Sequence, residues 1–122
     1  MKAKIWSELI GTAFLLMIVV GSGIMGQRLF PGQDGLALLA NSIATGAGLF
    51  VLIQCLGSIS GCHLNPVVSL VEVLWGRFSK TDAVFYVIAQ FVGAYIGVLL
   101  THVMFKHNVF EFSSVDISGM NL

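Results

Sequence analysis

Three apolar runs, at about 5–26, 36–57 and 81–105, restrict this chain more than any other feature. A helix that crosses a bilayer needs about 20 residues at about 1.5 Å rise each, and each run has that length. In lipid every backbone N–H and C=O must be satisfied within the protein, which leaves only helices and closed barrels as spanning elements. Barrel strands alternate polar and apolar residues with period two; these runs do not. The predicted fold class is therefore an all-α membrane protein. Only 10% of the 122 residues are charged and 57% are hydrophobic, against roughly 25% charged in an ordinary soluble domain.

Charge reports topology here and not partners. Six basic residues balance six acidic ones, so no basic patch points to nucleic acid. Lys2 and Lys4 precede the first run and Arg77 and Lys80 the third, whereas Arg28 and Lys106 fall on the opposite side. The positive-inside rule then places the N-terminus in the cytoplasm and, after three spans, the C-terminus outside. The first run is too long for a signal-peptide core, contains Glu8 and lacks a clear cleavage site before Arg28, so it is read as a retained span. Cys55 and Cys62 show no pattern of a disulfide framework or a metal site, and no metal or cofactor is expected.

The turn-rich stretch QRLFPGQDG connects the first two spans. Small residues recur at four-residue intervals in the second span (Ala40, Ala44, Gly48) and in the third (Gly93, Gly97). Such spacing lets helix backbones approach closely in lipid.

Between the second and third spans lies the segment 58–75, polar and turn-prone within the stretch GSISGCHLNPVVS (57–69) and apolar after it. From 66 to 75 a helix would measure about 15 Å, half of a hydrocarbon core of about 30 Å. It carries helix signals all the same: Asn65 as N-cap, Pro66 in the first turn and Gly76 as stop. The segment is read as a loop that dips into the membrane and returns as a half-helix. Non-helical backbone at that depth is tolerated only where it is buried in protein or lines a water-filled cavity, and broken helices of this kind build transport sites.

At SGCHLNPVVSL the chain resembles the first-half signature of the aquaporin and glycerol-facilitator family, the major intrinsic proteins. SELIGT, with Glu8, Gly11 and Thr12, resembles the family's first-helix motif; WGRFS resembles the exit from its half-helix, and AQFVGAYIG, with Gln90, its third helix. The resemblance implies that 1–122 form a single half-repeat: three transmembrane helices plus one re-entrant half-helix, half of an aquaporin fold. In the family, two such repeats meet, inverted, at two Asn-Pro motifs; one is present here. The chain ends where a longer member would be crossing its central loop.

What the resemblance implies for individual residues can be set beside their chemistry. Asn65 at the cap accepts from the first turn with its side-chain oxygen and keeps its NH₂ as a donor; the resemblance implies that Asn65, Pro66 and Val67 are the pore motif. The carbonyls of Gly61, Cys62, His63 and Leu64 would supply an acceptor ladder, Gly61 permitting the tight path. Glu8, Gln90 and Ser60 would support the loop, since an acid in a membrane span needs partners, and His63 would be scaffold. Thr45, Cys62 and Val68 correspond to the family's selectivity positions, where a bulky aromatic and an Arg are usual; their replacement implies a wider, less charged opening. Glu72 is open to two readings: it shares Asn65's face two turns on, or it snorkels toward Arg77 or Lys80.

The expected function is a channel subunit, not an enzyme, for water and small neutral solutes such as glycerol, in a bacterial-type inner or plasma membrane. Its partners would be membrane lipid and a second half, supplied by an inverted copy of itself or by a separate complementary chain. A fragment of a longer protein, a non-conducting membrane subunit and an ion-leaking pore remain the alternatives.

Overall fold

The computed structural model describes residues 1–105; Lys106, His107 and the remainder to 122 lie outside them. Four helices follow in order: α1 (Lys2–Leu29), α2 (Asp34–Ser60), α3 (Pro66–Leu74) and α4 (Lys80–Met104). Three of them, α1, α2 and α4, are long and apolar enough to cross a membrane. With the short α3, they give the all-helical class that the apolar runs predict.

The long helices extend past the apolar runs at several ends. α1 takes in Lys2, Lys4 and Arg28, whose long stems let a helix continue while the charge stays in water. α2 runs on through Ser60, three residues beyond the expected end of its span, and stops at Gly61, whose φ of 85° no β-carbon obstructs. The extended loop is consequently confined to 61–65, and its first expected residues, Ser58 to Ser60, are helical.

α1 is the central element, packed against α2 on one side and α4 on the other, while α3 leans on α4. The two faces of α1 are built differently. α4 runs parallel to α1 and meets it backbone to backbone: a β-carbon on Gly93 would collide with the carbonyl of Leu9, and one on Gly97 with that of Ala13. Lipid tails are as apolar as leucine, so this approach is favoured by van der Waals packing and not by exclusion of water. α2 runs antiparallel and fits mostly through side chains, with Ile18 over Gly48 and Leu56 against Gly11. Glu8, Thr12, Tyr86, Gln90 and Thr101 are buried at 2% exposure or less. The packed centre of this half-structure is thus largely polar, and its outside is apolar.

Candidate functional site

Glu8 organises the contacts between α1, the loop and α4. Its side chain is fully buried, and each carboxylate oxygen accepts two hydrogen bonds. Oε1 takes the Ser60 hydroxyl at 2.8 Å and the His63 N–H at 3.0 Å. Oε2 takes the Leu64 N–H at 2.8 Å and the Gln90 Nε2 at 2.9 Å. An unpaired buried carboxylate costs several kcal/mol even after relaxation, about the scale of a broken buried ion pair; four donors at these distances supply the compensation. Ser60 extends the network, since its Oγ accepts from Cys62 N and Ser7 Oγ and its carbonyl accepts the Tyr86 hydroxyl.

The loop so held is strained. Besides Gly61, Cys62 (φ 52°) and Leu64 (φ 54°) adopt the left-handed region, at roughly 1–3 kcal/mol for each non-glycine residue. Their conformation follows from where their N–H groups go: those of Cys62, His63 and Leu64 all point back to Ser60 and Glu8. The four carbonyls of Gly61, Cys62, His63 and Leu64 accept no hydrogen bond among the described residues.

His63 is fixed on three sides. Its Nδ1 pairs with Ser69 Oγ at 2.9 Å, and its ring meets Phe78 and Tyr86 edge-on, each centroid 5.0 Å away. Ser69, fully buried on α3, also accepts from Gln90 Nε2 at 3.2 Å. One buried cluster thereby ties α1, α4, the loop and α3 together. Ser7, Ser69, Phe78 and Tyr86 were not among the residues expected at the site. A signal exists for two of them: Ser69 is four residues from Asn65 and Tyr86 four from Gln90, the spacing that places residues on one helix face.

The half-helix is capped at both ends. Asn65 Oδ1 accepts from Val67 N at 2.8 Å, and Pro66 occupies the first turn, where its missing N–H costs nothing. Asn65 Nδ2 has no partner among the described residues, and the side chain is exposed. At the other end Gly76 (φ 74°) closes a Schellman motif, with Gly76 N on Val73 O and Arg77 N on Glu72 O. Glu72 pairs with Arg77 at 3.1 Å, and Arg77 lies over the Trp75 ring at 4.5 Å.

Beside Asn65 and Pro66 opens a cleft of about 250 Å³, lined on α1 by Thr12, Leu15 and Leu16 and on α4 by Gln90, Phe91 and Ala94. It is mainly apolar, yet two buried polar atoms on its lining residues, Thr12 Oγ1 and Gln90 Oε1, have no hydrogen-bond partner among the described residues. Buried polar groups are rarely left so. Of the positions expected to set selectivity, Thr45 bonds Asn41 on α2 through its hydroxyl, Cys62 sits in the loop, and Val68, like Val67, is exposed on α3.

Comparison with known proteins matches this arrangement. The profile of the major intrinsic proteins covers residues 1–121. An aquaglyceroporin of Rhizobium meliloti, AqpS, is 54% identical over 99 residues, 81% of this chain and 42% of its own length. Aquaporin Z of Rhodopseudomonas palustris is 37% identical over 83% of this chain and 41% of its own length. The propanediol uptake facilitator PduF of Salmonella typhimurium is 33% identical over 93% of this chain and 42% of its own length. The chain thus spans less than half the length of these relatives. An acid-anchored loop, an Asn-capped half-helix and three membrane-length helices accompany sequence identity along nearly the whole chain, which belongs to the major intrinsic protein family.

Proposed function

We propose that this chain forms one half of a channel for water and small neutral solutes such as glycerol, the other half being a second copy of itself in inverted orientation. The observation that carries the reading is the state of Asn65: its oxygen is committed to capping α3, and its NH₂ is left as a donor beside the cleft. A passing water or hydroxyl oxygen accepts that bond. The dipole of α3 places roughly half a positive charge at the same end, which disfavours cations there. The open carbonyls of 61–64 supply acceptors along one wall.

Three long helices with one half-helix do not enclose a lumen. The cleft beside Asn65 and Pro66, with the unpaired Thr12 and Gln90 oxygens, is where a second half-helix tip would seat. Relatives named aquaglyceroporin, aquaporin and propanediol facilitator support solutes of this class. In this reading Thr45, Cys62 and Val68 border a wide, weakly charged constriction, and His63, Glu8, Ser60 and Gln90 hold the loop.

Stopped-flow light scattering on proteoliposomes of the chain alone tests the homomeric pore. Water and glycerol permeabilities above those of empty vesicles are expected; equality with empty vesicles rejects it. A separately encoded second half is the other reading, favoured by the excess of basic residues on one side, Lys2, Lys4, Arg77 and Lys80. Sided amine labelling of Lys2 and Lys4 separates the two. Labelling from both faces is expected of inverted copies, and labelling from one face favours the complementary chain. Cation conductance in the unaltered protein would favour an ion-leaking pore instead.

A further inference from the structure

The half-helix is anchored through a single side chain. The backbone of α3 comes close to α4 alone among the other helices. Val67, Val68, Leu70 and Leu74 are exposed, and Ser69 is the one buried residue of the helix. Apart from local bonds to its own caps, the hydrogen bonds that join α3 to the rest of the described protein all run through the Ser69 hydroxyl. The direction of its proton is fixed. Gln90 Nε2 sits 2.9 Å from Glu8 Oε2, and the amide cannot turn over without setting two acceptors against each other. It therefore donates to Ser69 Oγ as well, at 3.2 Å. Ser69 in turn donates to His63 Nδ1 at 2.9 Å, which leaves the imidazole proton on Nε2.

We propose that Ser69 is a positioning residue: anchored by Gln90 and His63, it sets the rotation and depth of the half-helix and hence the direction in which Asn65 Nδ2 points. Asn65 lies one turn before Ser69, and its carbonyl accepts the Ser69 N–H at 3.3 Å. Residues four apart share a helix face, so a rotation fixed at Ser69 is fixed at Asn65. The Asn65 side chain cannot turn independently, because its oxygen is committed to Val67 N. An apolar contact would not do the same. Burial of hydrocarbon is non-directional, whereas a hydrogen bond weakens steeply as its angle departs from linear, and so it specifies a rotation as well as an approach. The chain of bonds from Glu8 through Gln90 to Ser69 thus carries the placement of the long helices to α3. The weight of the inference for transport rests on the channel reading above; the anchoring itself stands on the bonds alone.

The test is solid-state NMR of the Asn65 side-chain amide, with water permeability measured on the same lipid vesicles of the full chain. The wild-type protein should show one Asn65 signal, identified by its loss in Asn65→Ala. In Ser69→Ala the preference for that orientation should fall about fivefold, the scale of one lost net hydrogen bond. A second Asn65 signal then appears while the signals of α1 and α2 stay in place, and water permeability drops with it. Ser69→Thr, which keeps the hydroxyl, should restore both readouts. Should Ser69→Ala fail to insert, Ser69→Cys carries the test, since its thiol is a weaker donor and acceptor and should move both readouts the same way. A single unchanged Asn65 signal, a shift that spreads equally over α1 and α2, permeability unaltered while the signal splits, or no restoration by Ser69→Thr overturns the inference. A wild-type permeability equal to that of empty vesicles, with the Asn65 signal responding as expected, rejects the channel reading and leaves the anchoring standing.

Discussion

Helices α2 and α4 both carry small residues four apart, and the molecule uses them in opposite ways. On α4, Gly93 and Gly97 are buried against the carbonyls of Leu9 and Ala13, and no side chain at the contact can yield. On α2, Gly46 has nothing within 4 Å and Gly48 meets the Ile18 side chain rather than backbone; α2 is also the least buried of the three long helices. The same spacing thus closes one contact completely and leaves another face unfilled. What separates them is polarity. α4 also presents Tyr86 and Gln90 to the buried network, so its position is fixed by hydrogen bonds as well as packing. α2 bonds to its neighbours mainly near its two ends, through Ser60 and through Asn41.

The widest test of this contrast is Gly93→Val. A β-carbon there forces α1 and α4 apart, and because the Glu8–Gln90 bond spans that seam, a loss of about 3 kcal/mol or more is expected from overpacking alone, read as collapse of the denaturant midpoint in detergent. Next comes Glu8→Ala. It strands the N–H groups of His63 and Leu64, and at about 1–3 kcal/mol for each unsatisfied buried group it should release the loop, seen as loss of hydrogen-exchange protection at His63 and Leu64 with α2 unchanged. A smaller effect is expected of Gly48→Ala. Ile18 must shift, and the cost should stay within about 1–3 kcal/mol, partly offset by alanine's better helix propensity, and measurable by thermal unfolding. Gly46→Ala should be neutral or stabilising by at most about 1 kcal/mol. If Gly46→Ala matched Gly93→Val in cost, the distinction between the two faces would be gone.

The fold class was readable from three runs of apolar residues because bilayer thickness and backbone satisfaction leave few alternatives. The half-helix was readable from local chemistry as well: Asn65, Pro66 and Gly76 each act within a few residues of themselves. The left-handed conformations of Cys62 and Leu64 were not. Neither residue type favours φ > 0; Leu64 is held there by a carboxylate more than fifty positions earlier, and Cys62 by the Ser60 hydroxyl that donates to the same carboxylate. Ser69 was hidden for a similar reason, since one serine in an apolar helix becomes informative only when Gln90 and His63 arrive beside it. Small residues at four-residue spacing marked α2 and α4 alike, and nothing local told the closed face from the open one.

The Glu8 carboxylate also imposes an order of events on biogenesis. Its partners on the loop follow it by 55 and 56 positions and Gln90 follows by 82. While the chain is being synthesised, α1 must therefore wait with an acid lacking its final partners until α4 emerges. Contacts so distant in sequence form late, because the intervening chain must first be ordered. Among the described helices, the third long one is then the one that completes the anchoring of the first, and a ribosome stalled before Gln90 would leave the Glu8 carboxylate without that bond.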